Sequence, residues 1–137
     1  MKNKKAFTLM EIMITVVLIG VIAGFAIPNY ERAMNKARER DAIVQLSLIH
    51  SACQIYKAQH GGYFVGNLNS IPLINTTLKI NVISNTTTYE YTGNANNFLL
   101  TATLPNGAEI QANHLPLFSA PDNPCCSGTC FILSLCP

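Results

Sequence analysis

Residues 7–27, FTLMEIMITVVLIGVIAGFAI, set a single glutamate, Glu11, inside an otherwise uncharged apolar run. At 1.5 Å per residue such a helix is roughly 31 Å long, enough to cross a hydrocarbon core. The leader MKNKKA precedes it, and Lys2, Lys4 and Lys5 place the amino terminus in the cytoplasm by the positive-inside bias, with everything after residue 28 across the membrane. A charged side chain within a span costs about 2.5–3.5 kcal/mol on insertion scales, so Glu11 calls for a partner. No cation in the run supplies one. The plain alternative is that Glu11, one turn from the interface, reaches back to water.

The stretch Lys4-Lys5-Ala6-Phe7-Thr8-Leu9-Met10-Glu11, followed by Ile12 to Ile27 and Pro28, resembles the class III signal sequence of type IV pilins and pseudopilins. The resemblance implies that a prepilin peptidase cuts on the cytoplasmic side between Ala6 and Phe7 and methylates the new amino terminus at Phe7. That family normally has glycine before the cut, where this chain has the small Ala6. The resemblance also implies that Glu11 pairs with the amino group of a neighbouring subunit. An ammonium created at Phe7 is the cation the span lacks, and an ion pair between helices offsets the cost of burying both charges. An ordinary secretory signal, with its cleavage site near Ala23–Ala26, is a weaker reading of the same residues.

Beyond Pro28, residues 29–59 keep a helical pattern, with Tyr30, Met34, Ala37, Ala42, Leu46, Ile49, Cys53 and Tyr56 forming one apolar face. His60-Gly61-Gly62 stops it, since glycine accepts the left-handed conformation that ends many helices. From Phe7 the helix is then roughly 80 Å long, too long for one small domain, so its first half needs lipid or other rods around it. Gly20, Gly24 and Pro28 make a weak point: proline removes the donor to the Gly24 carbonyl, and the glycines lower helix propensity just before it. In the resembled family the matching stretch loosens when filaments stretch; the same glycines also permit close helix packing.

The remaining chain reads as a small head. Residues 63–86 look irregular, with apolar patches at Ile71–Ile74 and Leu78–Ile80. Residues 87–92, then 97–104, then 108–113 alternate as half-buried strands, separated by turns at Gly93-Asn94-Ala95-Asn96 and Pro105-Asn106-Gly107. The expected fold class is α+β, a helical spine across three or four antiparallel strands. The expected division is a leader at 1–6, a membrane and assembly half-helix at 7–28, an amphipathic half-helix at 29–60, and a head at 61–137.

Five cysteines, Cys53, Cys125, Cys126, Cys130 and Cys136, fall mainly in the tail, which in an oxidising compartment reads as disulfide-stapled with one thiol left over. Cys53 either ties the tail to the helix or stays buried as a small hydrophobe. A zinc site using the tail cysteines and His114 is the rival, but CC-x3-C-x5-C is not a usual zinc spacing, and no metal or other cofactor is expected. Glu39 and Asp41, together with Arg38 and Arg40, look like a solvated surface. No phosphate loop, nucleophile elbow or CxxC dithiol appears, so no enzyme is expected. Of nine Lys and Arg residues three lie in the leader, leaving six against seven Asp and Glu, and no basic patch argues for nucleic acid.

The expectation is a subunit of a type IV pilus-like filament, held in the inner membrane with its head outside the cytoplasm before assembly. The resemblance implies as partners copies of the chain itself, prepilin peptidase and an inner-membrane assembly platform. A type II secretion pseudopilin is the alternative. The calcium loop of that class needs clustered acids, and the carboxy-terminal third offers only Glu109 and Asp122. A membrane-anchored periplasmic binding module that never polymerises is the rival outside the family.

Overall fold

A computed structural model describes residues 7–117 and 123–136. The chain divides into two compact units, Met1–Met34 and Asn35–Pro137. Helix α1, Leu9–His60, supplies the regular structure of the first among the described residues and the spine of the second. It ends where glycine permits: Gly61 has φ +77° and its amide donates to the Lys57 carbonyl at 2.9 Å.

In the second unit α1 buries Glu39, Ala42, Leu46, Ile49 and Cys53, a spacing of three and four that keeps one face on the sheet. The apolar face expected from sequence therefore holds from Ala42 to Cys53. Tyr30 and Ala37, assigned to that face from sequence, are exposed.

The sheet is a five-stranded antiparallel meander, β1 (Gly66–Leu68), β2 (Thr88–Gly93), β3 (Phe98–Thr103), β4 (Glu109–Asn113) and β5 (Cys125–Ser127), in sequential order. Tyr89 and Tyr91, then Phe98, Leu100 and Ala102, then Ile110 and Ala112 point into the core, as the alternation requires. Both expected turns form. Asn94 Oδ1 accepts from the amides of Asn96 and Asn97 at 3.0 Å, and Gly107, at φ +80°, donates to the Leu104 carbonyl at 2.9 Å.

The region expected to be irregular holds two further elements. One is β1; the other is helix α2 (Ile71–Leu78), with Pro72 in its first turn and Lys79 as a left-handed cap. The Asn75 side chain fastens the following loop by accepting from the Val82 amide at 2.8 Å and donating to its carbonyl at 3.0 Å.

An aromatic cluster of Tyr63, Phe98, Tyr91 and Phe64 closes one end of the core. Tyr91 donates its phenol to the Phe64 carbonyl at 2.6 Å, and its ring lies where a Cβ on Gly93 would project. Gly93→Ala is therefore expected to displace the ring and destabilise the head by about 1–3 kcal/mol, measured by urea unfolding. An unchanged midpoint would show that Tyr91 repacks freely.

Candidate assembly interface

The first unit presents its apolar residues outward. The apolar stretch of α1, long enough to cross a membrane, is 0% buried. Phe7 is 80% exposed and Phe25 75%. Single exposed apolar residues are ordinary, but a continuous run of this length marks a surface that lipid or another chain covers. Gly20 and Gly24 have nothing within 4 Å of the Cβ position, so they leave an open strip on which another helix backbone can lie close. Pro28 sits inside continuous helix, and one turn is supported by Asn29, whose side-chain amide donates to the Phe25 carbonyl at 3.2 Å.

Thr8 and Glu11 form a capping box at the start of this helix. The Glu11 amide donates to Thr8 Oγ1 at 3.2 Å, while Glu11 Oε2 accepts from the Thr8 amide at 2.9 Å and the Thr8 hydroxyl at 3.0 Å. The box uses nothing before Thr8. A cut between Ala6 and Phe7 leaves it intact, and it holds the carboxylate at the helix end where the dipole favours negative charge. Ala6 itself lies outside the described residues.

The head contributes a second carboxylate, and here the sequence reading needs correction. Glu39 is not on a solvated surface; it is 1% exposed. Its Oε2 accepts from the Phe131 amide at 2.8 Å, and its Oε1 from the amides of Ile132 and Leu133 at 3.0 Å each. Three successive backbone donors converge on one carboxylate, which satisfies the charge without a cation. Asp41 does remain exposed.

The tail is closed on itself. Cys125 bonds Cys136, and Cys126 bonds Cys130. Cys53, a candidate for bridging tail to helix, is instead a free thiol, 2% exposed within the core cluster. Its place on the buried stripe puts it beneath the sheet, while the tail meets α1 at Glu39. Glu39, rather than a disulfide, joins the two.

Burial pushes the Cys53 thiol up to about 12 from 9.0. Above pH 9 the unfolded thiol gives up its proton while the folded one keeps it, so alkali favours unfolding progressively between pH 9 and 12. At pH 8 the native chain is expected to resist iodoacetamide and to take up one equivalent only in denaturant. Rapid native labelling would contradict this burial.

Buried His50 lies 2.9 Å from the Leu115 carbonyl through Nε2, and Asn123 donates to the same oxygen at 2.8 Å, tying the β4–β5 connection to α1. Among the described residues no group of three or more His, Cys, Asp or Glu is placed to hold a metal ion.

The pattern described as the prokaryotic N-terminal methylation motif matches residues 1–27. The type II secretion system core protein G of Vibrio cholerae is 32% identical over 63 residues, 46% of this chain and 43% of that protein. Its namesake in Escherichia coli K12 is 33% identical over 61 residues, 44% of this chain and 42% of that protein. The chain thus spans less than half the length of these secretion relatives. Prepilin peptidase-dependent protein D of Escherichia coli K12 is 28% identical over 86 residues, 61% of this chain and 59% of that protein.

Proposed function

We propose that this chain, which fits the type IV pilin and pseudopilin family in its methylation motif and its helix-on-sheet head, works as a filament subunit drawn from the inner membrane into a polymer of its own kind. Its work is assembly rather than catalysis. The observation that carries this reading is the fully uncovered apolar segment of α1, with a capped carboxylate as the fifth residue after the expected cut. In the precursor, lipid covers that segment and the head stands outside the cytoplasm. After prepilin peptidase exposes and methylates Phe7, other copies replace the lipid, and the ammonium at Phe7 answers Glu11 of a neighbour. An inner-membrane assembly platform extracts the subunit.

The pseudopilus of a type II secretion machine is the reading favoured by the relatives named core protein G. A surface pilus is the second reading, supported by the doubly disulfide-closed tail and by the longer similarity to prepilin peptidase-dependent protein D. Deleting the gene separates them: loss of exoprotein secretion with surface fibres intact indicates the pseudopilus, and the reverse indicates the pilus. Mass spectrometry of the mature protein is expected to find N-methylated Phe7 as the first residue, in material that electron microscopy shows as fibres. A chain still beginning at Met1, or one that never polymerises, would count against both readings.

A further inference from the structure

Beyond α1 the chain carries a single Lys or Arg, Lys79. It occupies the left-handed cap of α2, at φ 56° and ψ 42°, a conformation that ordinarily selects glycine or asparagine. Asn75 fastens the backbone on the far side of that cap to Val82, so the lysine is held at a fixed point. Lys79 lines a half-open cleft of about 410 Å³ where the end of α1 meets the end of α2. Ile55, Leu78 and Ile80 give it apolar walls, and the Tyr56 ring stacks on His60 at 4.1 Å. Among the described residues no Asp or Glu lines it. Its one formal charge is positive, so its complement is apolar and acidic.

That complement is present on the same unit. Along α1, Asp41, Val44 and Leu48 stand at i, i+3 and i+7 and are all exposed, Val44 by 64% and Leu48 by 41%. They form one ridge, with the acid at its amino end. Arg38 is engaged with Asn35 Oδ1 at 3.5 Å, and Arg40 lies about 100° around the helix from Asp41, bordering the ridge on the Val44 side, so Asp41 is the ridge's one acid. The exposed acid of strand β2, Glu90, has Thr88 and Thr92 beside it and one exposed apolar neighbour on the same face, Leu99 opposite Thr92, whereas Asp41 has two in line along one helix.

We propose that the cleft of one copy receives the Asp41–Val44–Leu48 ridge of the next, with Val44 and Leu48 against Ile55, Leu78 and Ile80, and the Asp41 carboxylate at Lys79. The inference rests on the filament reading and names a head contact within it. Cleft and ridge are different patches of one chain, so each docked copy leaves one of each free. Such a heterologous contact propagates into an open series.

The test is charge reversal in the full chain, expressed in cells that lack the wild-type gene. Asp41→Lys and Lys79→Glu are each expected to cut the yield of sheared fibres at least about tenfold, and the combined variant to return it to within about threefold of wild type. Either single variant assembling at wild-type yield overturns the contact. So does a double variant no better than the singles when all accumulate normally. As an independent measurement, Val44→Cys combined with Ile55→Cys is treated in sheared fibres with bismaleimidoethane. A ladder of crosslinked copies supports the contact, and monomer alone overturns it. Absence of fibres from the wild-type chain is a different result, which refutes the filament reading itself.

Discussion

Replacing Glu39 by alanine is expected to lower the stability of the head by about 2–4 kcal/mol, because it strips three backbone amides of their acceptor at once and empties a buried position. The affected donors belong to Phe131, Ile132 and Leu133, within the segment enclosed by the Cys125–Cys136 bridge. The tail should then detach from α1 while both disulfides persist. Urea unfolding reads the first effect, and limited proteolysis within residues 131–135 reads the second. Glu39→Gln keeps an acceptor oxygen but turns an NH2 group toward the remaining donors, so it should cost less than alanine and still fall short of wild type. A variant with unchanged midpoint and a protease-resistant tail would mean that the disulfides alone hold this segment.

The second large effect is expected at Glu11. Glu11→Ala should leave membrane insertion and cleavage near wild type and reduce fibre yield at least about tenfold, the loss of one charge pair in an apolar bundle. Thr8→Ala separates capping from register. It removes the hydroxyl that accepts from the Glu11 amide and donates to its carboxylate, yet leaves that carboxylate and the Thr8 amide in place. Thr8→Ala should therefore assemble measurably better than Glu11→Ala. Equal defects in the two would reduce Glu11 to a helix cap, and normal fibres from Glu11→Ala would remove its part in assembly.

Much of this was legible because long elements repeat. The 52-residue helix, its end at Gly61, strands β2 to β4 and both turns between them follow from period and turn chemistry. What escaped was short. With three residues each, β1 and β5 offer no alternation to detect, and they exist through pairing with β2 and β4. Helix α2 is eight residues long, and its Ser70 cap makes no side-chain bond. Glu39 was misread for a different reason. Flanking arginines suggested water, whereas its spacing to Ala42, Leu46, Ile49 and Cys53 is three, four, three and four, which places it on the buried stripe. The signal was geometric, and its acceptor role needed a tail 92 to 94 residues away. The pairing of the cysteines was likewise unreadable, since composition alone left open whether Cys53 took part.

Each strand of the meander hydrogen-bonds only to strands adjacent in sequence, and the two disulfides join cysteines 4 and 11 residues apart. Such connectivity suits a polypeptide threaded through a translocation channel amino end first, because each new segment finds its template already delivered. No early strand must wait for a late one to fill a gap. In such a passage the four tail cysteines follow the strands they adjoin and close upon near neighbours, which limits the mispaired intermediates that a distant cross-link would invite.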